Sequence, residues 1–574
     1  MTREDIAEVL DNIALLLELK GENVFKTRAY KNGAEIVRSH EPDVVKLAKD
    51  NQLNNVAGIG KALQEKIIEL TTTNKLEFYE NLRTEFPPSL FELFDIQGLG
   101  PKKIKALYDK LNIDSVEALK SACQDNSISS LRGFGTKTVD KLLHAIELRE
   151  KFASHFRLGD VAVMAEILLD AVHAHPSTLR CCHAGSYRRS KEILHDIDIL
   201  AATTAPAELT QYFSQLEEVE EVIACGDTKA SVRLANGLQV DLRAVTNDAF
   251  PFALQYFSGS KEHNVAIRQR ALKNGWSLNE YNFTAKEGAT PPPTIHEEAD
   301  IYKALGLDYI PPELRENRGE IEAAENGSIP RLVTLENLRG TFHNHTTASD
   351  GKNSLEEMAE AAIELGLEYL GIADHSKASF QANGLYPERL LKQVDHIKSL
   401  NKQWEGSFRL LAGSEVDILK DGSLDFDDSI LAQLDYVVAS VHNAFTLPEK
   451  EMTKRIIRAM ENPHVTMLGH LTGRLLLRRE AYAVNVDKII DCAAETGTII
   501  ELNCNPRRLD MDWRHWKNAR EKGVKCAINP DAHRLEQLQF LAFGVRLARK
   551  GWLTKDDVIN TKPLNDILDF LNIQ

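Results

Sequence analysis

The chain carries no Cys-x-x-Cys pair, and its seven cysteines fall at spacings that suit neither a disulfide framework nor a zinc finger. A reducing compartment fits that usage. It also lacks any run approaching the ~20 apolar residues needed to cross a bilayer. Met1-Thr2-Arg3-Glu4-Asp5 is acidic and amphipathic, unlike a signal peptide. A cytoplasmic protein with no membrane partner is the expectation. Nor is there any excess of positive charge: 69 Lys and Arg against 85 Asp and Glu leave a net charge of −16. Even residues 1–150 hold 21 basic side chains against 24 acidic ones. A nucleic-acid partner would have to be gripped through local geometry, such as free amides at helix N-termini, and not through a bulk cationic field.

What is present describes a globular protein, 43% hydrophobic and 27% charged. Its 574 residues exceed one core, so three or more domains are expected. Residues 1–150 read as short helices punctuated by glycine. Between 155 and 250, β-branched runs such as Ile197-Asp198-Ile199-Leu200 and Gln239-Val240-Asp241-Leu242 alternate with helical patterns. Asn236-Gly237, flanked by two alternating runs, predicts a tight hairpin. Residues 316–338 are rich in Glu, Asn, Gly and Pro with little periodicity and read as a linker. After Gly340, strand-like runs at 369–373, 436–440, 498–502 and 525–529 alternate with helical ones, the rhythm of a βα barrel or sheet.

Three segments in the first 150 residues share one pattern: Ala57-Gly58-Ile59-Gly60-Lys61, Gln97-Gly98-Leu99-Gly100-Pro101 and Arg132-Gly133-Phe134-Gly135-Thr136. Lysines 61, 102 and 137 follow, then an apolar helical repeat. Paired glycines permit a tight turn, the apolar residue between them plugs two helices together, and the next helix starts with amides pointing outward. One Gly-x-Gly is an ordinary αα-turn. Three in a row make the helix-hairpin-helix, a sequence-independent grip on DNA backbone. Lys66 follows the first of them. It is either a phosphate-contacting or solvated lysine, or a Schiff-base nucleophile toward an abasic sugar.

In the middle of the chain, Gly185-Ser186-Tyr187-Arg188-Arg189 precedes Asp196-Ile197-Asp198. On a strand, Asp196 and Asp198 share a face, and Asp241 on the hairpin adds a third carboxylate. Three such acids can hold two Mg²⁺ or Mn²⁺ ions about 4 Å apart for in-line phosphoryl transfer, with Gly185, Ser186 and the basic pair cradling phosphate. Further on come His343, His345, Asp350, His375, Glu415, His442, His470, Asp531 and His533, most of them following strand-like runs. Six imidazoles and three carboxylates without a thiolate suit Mn²⁺, Zn²⁺ or Fe²⁺, and phosphoester hydrolysis is the natural reaction.

Residues 1–318 resemble a family X DNA polymerase, the group that includes DNA polymerase beta. The resemblance rests on the glycine hairpins, Gly185-Ser186-x-Arg188-Arg189, Asp196-x-Asp198 and Asp241. It continues through Tyr256-Phe257-Ser258-Gly259-Ser260, Asn264, Arg268, Leu278-Asn279-Glu280-Tyr281 and Tyr309-Ile310-Pro311-Pro312-Glu313-Leu314. It implies that Ser186 and Arg189 contact a triphosphate, with Gly185 and Gly259 in the same site. Tyr256 and Phe257 would line the sugar pocket and disfavour a ribose 2′-hydroxyl, and Asn264 and Arg268 would meet the incoming base or the template. Lys66 falls at the family's Schiff-base lysine, and Lys26 and Tyr30 lie near its 5′-phosphate pocket. Phe25 stands where the beta-type enzyme has a histidine, and Lys261-Glu262-His263 also departs from the beta-type thumb.

Residues 340–574 resemble the PHP (polymerase and histidinol phosphatase) domain. By that resemblance the nine ligands hold three divalent metals in a distorted βα barrel. The expected architecture is multidomain, α+β and α/β. Its parts are a helical end-binding region (1–85), helix-hairpin-helix fingers (86–150), a nucleotidyltransferase palm (151–250), a thumb (251–318), a linker (319–339) and the barrel (340–574). The implied activity is gap filling on gapped or nicked DNA with dNTPs, in base excision repair, by a monomer. The barrel would add 3′→5′ exonuclease, and abasic-site endonuclease or 3′-phosphatase, activity. Two alternatives remain at this stage: a barrel acting on a small phosphomonoester, and a DNA-binding repair scaffold with an inactive palm.

Overall fold

The computed structural model describes residues 3–39, 44–49, 52–56, 58–96, 98–151, 154–404 and 406–573; Ala57 and Gln97 of the hairpin segments lie outside them. Two compact units divide the chain, Met1–Ala153 and Ser154–Gln574. The first is helical. In its opening helix, Arg3–Lys20, residues Ile6, Leu10, Ile13 and Leu17 recur at helical spacing and are all buried, which is the stripe that nucleates this unit's core.

Each glycine pair behaves alike. Gly58, Gly98 and Gly133 take φ of 88°, 93° and 95°. Gly60, Gly100 and Gly135 then lead into the helices Lys61–Thr73, Pro101–Leu111 and Thr136–Lys151. Ile59, Leu99 and Phe134 between them are buried. A Cβ built on Gly60, Gly100 or Gly135 would meet nothing within 4 Å. Among the described residues no neighbour requires those positions to be bare, so each helix start is left open.

In the second unit, strands β1 (Thr178–His183), β2 (Asp196–Thr203), β3 (Val219–Cys225), β4 (Lys229–Leu234) and β5 (Gln239–Val245) form one sheet in the order β1-β2-β5-β4-β3. Only β2 and β5 run parallel. The expected turn joins β4 to β5, with Gly237 at φ 85°. Alternation along β2 buries Ile197 and Ile199 in the core and sends Asp196 and Asp198 to the opposite face.

The segment expected as a linker, 319–339, is packed. Glu320–Glu325 is a helix, and the fully buried Glu320 carboxylate lies 2.8 Å from His263 Nδ1. Leu332, Val333 and Leu338 are buried as well. The anchoring partner is remote in sequence, so local periodicity carries no trace of it.

Strands β6 (Gly340–Thr341), β7 (Tyr369–Ile372), β8 (Arg409–Asp417), β9 (Tyr436–Ser440), β10 (Met467–Leu468), β11 (Ile499–Asn503) and β12 (Cys526–Asn529) are all parallel and pair in chain order. A bridge between Asn344 and Ala532 brings the last strand end back to the first, so the barrel is nearly closed. Its apolar core continues without a break into that of the five-stranded sheet. Gly159 permits the contact, since a Cβ there would sit 2.3 Å from Pro506 Cβ. Among the described residues no helix is long and apolar enough to cross a membrane.

Candidate active sites and metal centres

On the five-stranded sheet, Asp198 and Asp241 are register partners across β2 and β5, and Asp196 precedes Asp198 by two residues on the same face. Burial, reinforced by the Asp196 and Asp241 carboxylates, pushes Asp198 up to about 7. Asp196 is raised for the same reasons, burial first. Asp241 goes the other way: burial opposes its charge, but Lys229 Nζ at 2.7 Å and Gln239 Nε2 at 3.0 Å hold it ionised. Three mutually repelling carboxylates with oxygen-only donor chemistry fit hard divalent cations.

Gly185 sits against this cluster at φ 58°, and a Cβ there would fall 2.0 Å from Asp198 Oδ2. Alanine at 185 must therefore displace either the turn or the acid. G185A is expected to lower nucleotide incorporation by about 10²-fold, since an ångström of misplacement at a reacting centre has that effect. Steady-state primer extension checks it.

The residues expected to meet the nucleotide gather along one wall. Arg189 donates from Nε to Glu316 at 3.2 Å and from Nη1 to the Ser258 carbonyl; a Cβ on Gly259 would lie 3.1 Å from the same Nη1. The helix Phe250–Ser258 carries Tyr256 and Phe257 edge to face at 5.0 Å. Asn264 Nδ2 donates to the Tyr256 carbonyl at 2.7 Å, and the Arg268 guanidinium stands 4.9 Å over the Tyr256 ring. Both arginines of the basic pair are held by acids: the Arg188 guanidinium forks onto Glu298 at 2.9 and 2.8 Å, as Arg189 leans on Glu316. His263, one of the residues departing from the beta-type pattern, is fully buried between Glu320 and the Tyr302 hydroxyl at 3.0 Å.

At the barrel's strand ends the nine expected ligands cluster, and five of the imidazoles surround Glu415, which is 1% exposed. Its carboxylate lies 2.9 Å from His375 Nδ1, 2.9 Å from His470 Nε2 and 3.1 Å from His442 Nε2, with His343 and His345 at 3.4 and 3.7 Å. Asp531 approaches His345 Nε2 at 3.2 Å, and Asp350 approaches His533 Nε2 at 3.3 Å. Three overlapping groups have ligand atoms close enough to share an ion: His345-Asp350-His375-His533, His343-His345-Glu415 and His375-Glu415-His442. His343 Nε2 and both ring nitrogens of His345 are buried without a well-aligned hydrogen bond. Burial works against protonation throughout the site. At His442 the facing Glu415 and Asp417, and at His533 the facing Asp350 and Asp531, prevail and raise the rings to about 10 and about 9, whereas burial and the neighbouring His533 and His375 imidazoles lower His345 to about 4. A donor set of buried carboxylates and imidazoles of this kind fits divalent metal ions.

In the helical unit, Lys66 Nζ stands 4.7 Å over the Phe78 ring, and Phe78 stacks on the buried Tyr30 at 6.1 Å. Lys26 pairs with Glu22 at 3.3 Å, and Phe25 is 77% exposed.

Over its whole length the chain is 40% identical to the DNA polymerase/3′-5′ exonuclease PolX of Bacillus subtilis (strain 168), covering 99% of that protein. The chain belongs to the family X DNA polymerases that carry a C-terminal PHP domain. Residues 1–76 match the helix-hairpin-helix domain family, 91–149 the SAM-like helix-hairpin-helix tandem, 253–316 the DNA polymerase beta thumb and 341–505 the PHP domain. A probable phosphatase of Thermoanaerobacter sp. (strain X514) is 30% identical over 230 residues, 38% of this chain and 89% of that protein. A probable phosphatase of Acetivibrio thermocellus is 30% identical over 200 residues, 33% of this chain and 78% of that protein.

Within the PHP domain of this family X chain, sequence reasoning missed two carboxylates. Glu501, fully buried on β11, accepts from His343 Nδ1 at 2.6 Å and from the His470 amide at 3.0 Å, orienting two ligands at once. Asp417 does the same for His442 at 3.2 Å and binds the Ser379 hydroxyl at 2.6 Å. A lone acid inside the apolar run Ile499-Ile500-Glu501-Leu502 was the available signal for the first. Asp374, next to His375 in the chain, accepts from the Thr346 amide at 2.8 Å and from Gln393 Nε2 at 2.6 Å, and so fixes the turn after the first two histidines. Cys504 and Cys526 are fully buried.

Proposed function

We propose that this chain is a DNA-directed DNA polymerase that fills short gaps in DNA repair, and that its PHP domain degrades DNA from the 3′ end. The observation that supports the reading is the coexistence, in one chain, of two separate clusters, three carboxylates on the five-stranded sheet and imidazoles with carboxylates at the barrel's strand ends, whose donor chemistry fits divalent metal. Asp196, Asp198 and Asp241 would hold Mg²⁺ or Mn²⁺, which acidifies the primer 3′-hydroxyl and neutralises the leaving pyrophosphate. Ser186 and Arg189 would bind the triphosphate, Tyr256, Phe257 and Gly259 would shape the sugar pocket, and Asn264 and Arg268 would meet the base pair. The nine PHP ligands would hold three ions of Mn, Zn or Fe, which supply a hydroxide nucleophile and oxyanion stabilisation when bound. In that site this chain's own residues orient the imidazoles through Glu501 and Asp417, and the partly exposed Asp350, His442 and His533 leave it open to water.

Gly58, Gly60, Lys61, Gly98, Gly100, Lys102, Gly133, Gly135 and Lys137 would grip the DNA backbone on either side of the gap. Lys66, held half-buried on the Phe78 ring that stacks on Tyr30, would serve as a lyase nucleophile on an abasic sugar, with Lys26 and Tyr30 serving the 5′-phosphate. The working divisions are 1–85, 86–150, 151–250, 251–318, 319–339 and 340–574, in a cytoplasmic monomer.

A gapped duplex with a 5′-labelled primer tests the whole assignment. The purified chain, assayed for bound metals, is expected to lengthen the primer with dNTPs and to shorten it when dNTPs are withheld. A chain that bound the gap without either reaction under Mg²⁺ or Mn²⁺ would overturn it.

A further inference from the structure

The last long helix of the PHP domain, Leu541–Lys550, reaches out of the barrel and into the back of the polymerase phosphate-binding turn. Lys550 is fully buried, although lysine is a residue that hardly ever is. Its ammonium donates to the Arg189 carbonyl at 2.8 Å, to Glu316 Oε1 at 2.7 Å and to the Glu313 carbonyl at 3.3 Å, above the Trp513 ring at 4.5 Å. One turn earlier, Arg546 donates to the Tyr187 carbonyl at 2.5 Å and to the Ser190 hydroxyl at 3.2 Å. Residues 187, 189 and 190 of the turn that carries Ser186 and Arg189 are thus fastened from behind by two cations of another domain. Neither cation belongs to the hydrolytic centre.

The charge arithmetic shows what this fastening does. Glu316 is approached by three cations: Lys550 at 2.7 Å, Arg189 at 3.2 Å and Lys191 at 3.2 Å. Burial would raise Glu316, but these partners, Lys550 first, hold it down at about 2, so it is ionised at neutral pH. With Lys550 neutralising that carboxylate, Arg189 can lean on Glu316 for position and keep its positive charge for an incoming anion. Without Lys550, Glu316 would draw Arg189 inward, and the carbonyl of Arg189 would be left buried and unpaired. Ser190 closes the turn at φ 56°, a left-handed conformation that serine holds only when its surroundings impose it, and Arg546 on its hydroxyl is one such constraint.

We propose that Arg546 and Lys550 of the PHP domain are positioning residues of the polymerase, holding the 185–190 turn in its triphosphate-binding shape, so that dNTP affinity depends on a helix of the degrading domain. This rests on the assignment of Ser186 and Arg189 to the triphosphate. The test uses full-length K550M, K550R, R546Q and S186A variants in single-nucleotide gap filling, with KM for dNTP and kcat measured separately, alongside primer shortening without dNTPs.

K550M and R546Q are expected to raise the dNTP KM about tenfold or more, with kcat and shortening within a few-fold of the parent, since the interaction lost is one made in binding. K550R, which restores the charge, is expected to recover much of the KM. The proposal is overturned if KM is unchanged in both K550M and R546Q, or if incorporation and shortening fall in parallel in variants that remain folded. R546Q carries the test if K550M does not fold, because its partners are a carbonyl and a hydroxyl at a half-buried site. If S186A raises KM and the helix variants do not, this inference alone fails. If S186A has no effect, the triphosphate assignment fails instead.

Discussion

Replacing Asp196 and Asp198 together by alanine is expected to lower nucleotide incorporation by about 10³-fold or more, while the rate of 3′-end shortening stays within a few-fold of the parent. Both acids project from one face of β2, and Asp198 faces Asp241 across the parallel pair, so the double change removes two of three oxygen ligands from one place. The same change carries a stability signature that an unrelated structural defect would not. Raising Asp198 from 3.8 to about 7 disfavours its ionised form by roughly 4 kcal/mol. The folded protein therefore holds a proton between those two values that the unfolded chain releases. The penalty is absent below the ordinary aspartate range, grows as pH rises through that window, and is fully present above about 7. At pH 8 without metal, the alanine variant is expected to melt above the parent, and scanning calorimetry would show it. A lower melting temperature there would mean that the two acids stabilise the fold and are not a site strained for function.

His343→Ala with His345→Ala is expected to do the reverse, cutting 3′-end shortening by about 10³-fold or more and leaving incorporation nearly intact. These two rings are both fully buried and contribute to two of the three groups able to share an ion. Here stability moves the other way. Removing His343 leaves Glu501 and Glu415 buried without the cation that faces them, a loss of about 3–5 kcal/mol for a broken buried pair. A lower melting temperature in metal-free buffer is expected, and the assays belong well below it. If either double variant lost both activities while still folded, the two centres would not be independent.

The sequence announced the chemistry more clearly than the scaffold. Imidazoles and carboxylates placed after strand-like runs have few other reasons to sit there, so the nine residues that the PHP resemblance marks as ligands could be named from the sequence, and they do stand together in the barrel. The palm acids were visible because period-two alternation forces Asp196 and Asp198 onto one face. What stayed hidden depends on partners distant along the chain. Strands β6 and β10 have two residues each, too few to show a period, and Gly413-Ser414 breaks the apolar run along β8 although the strand itself continues through them. Glu320 looked like linker composition until His263 stood against it. Arg188 looked like half of a phosphate cradle, yet Glu298, 110 residues later, claims it. Lys550 gave no signal at all, because a lysine near a helix end is normally solvated.

Gly159 has a consequence for how the gene can be cut. By letting a helix of the synthesising half lie directly on a proline of the hydrolysing half, it joins the two interiors, so neither has a surface of its own on that side. Truncating the gene between the two catalytic portions would expose greasy area on both fragments, and each would be expected to clump or be proteolysed. Heat should likewise melt residues 154–574 in one step, and inherited defects in either half would then surface as low abundance of both enzymes.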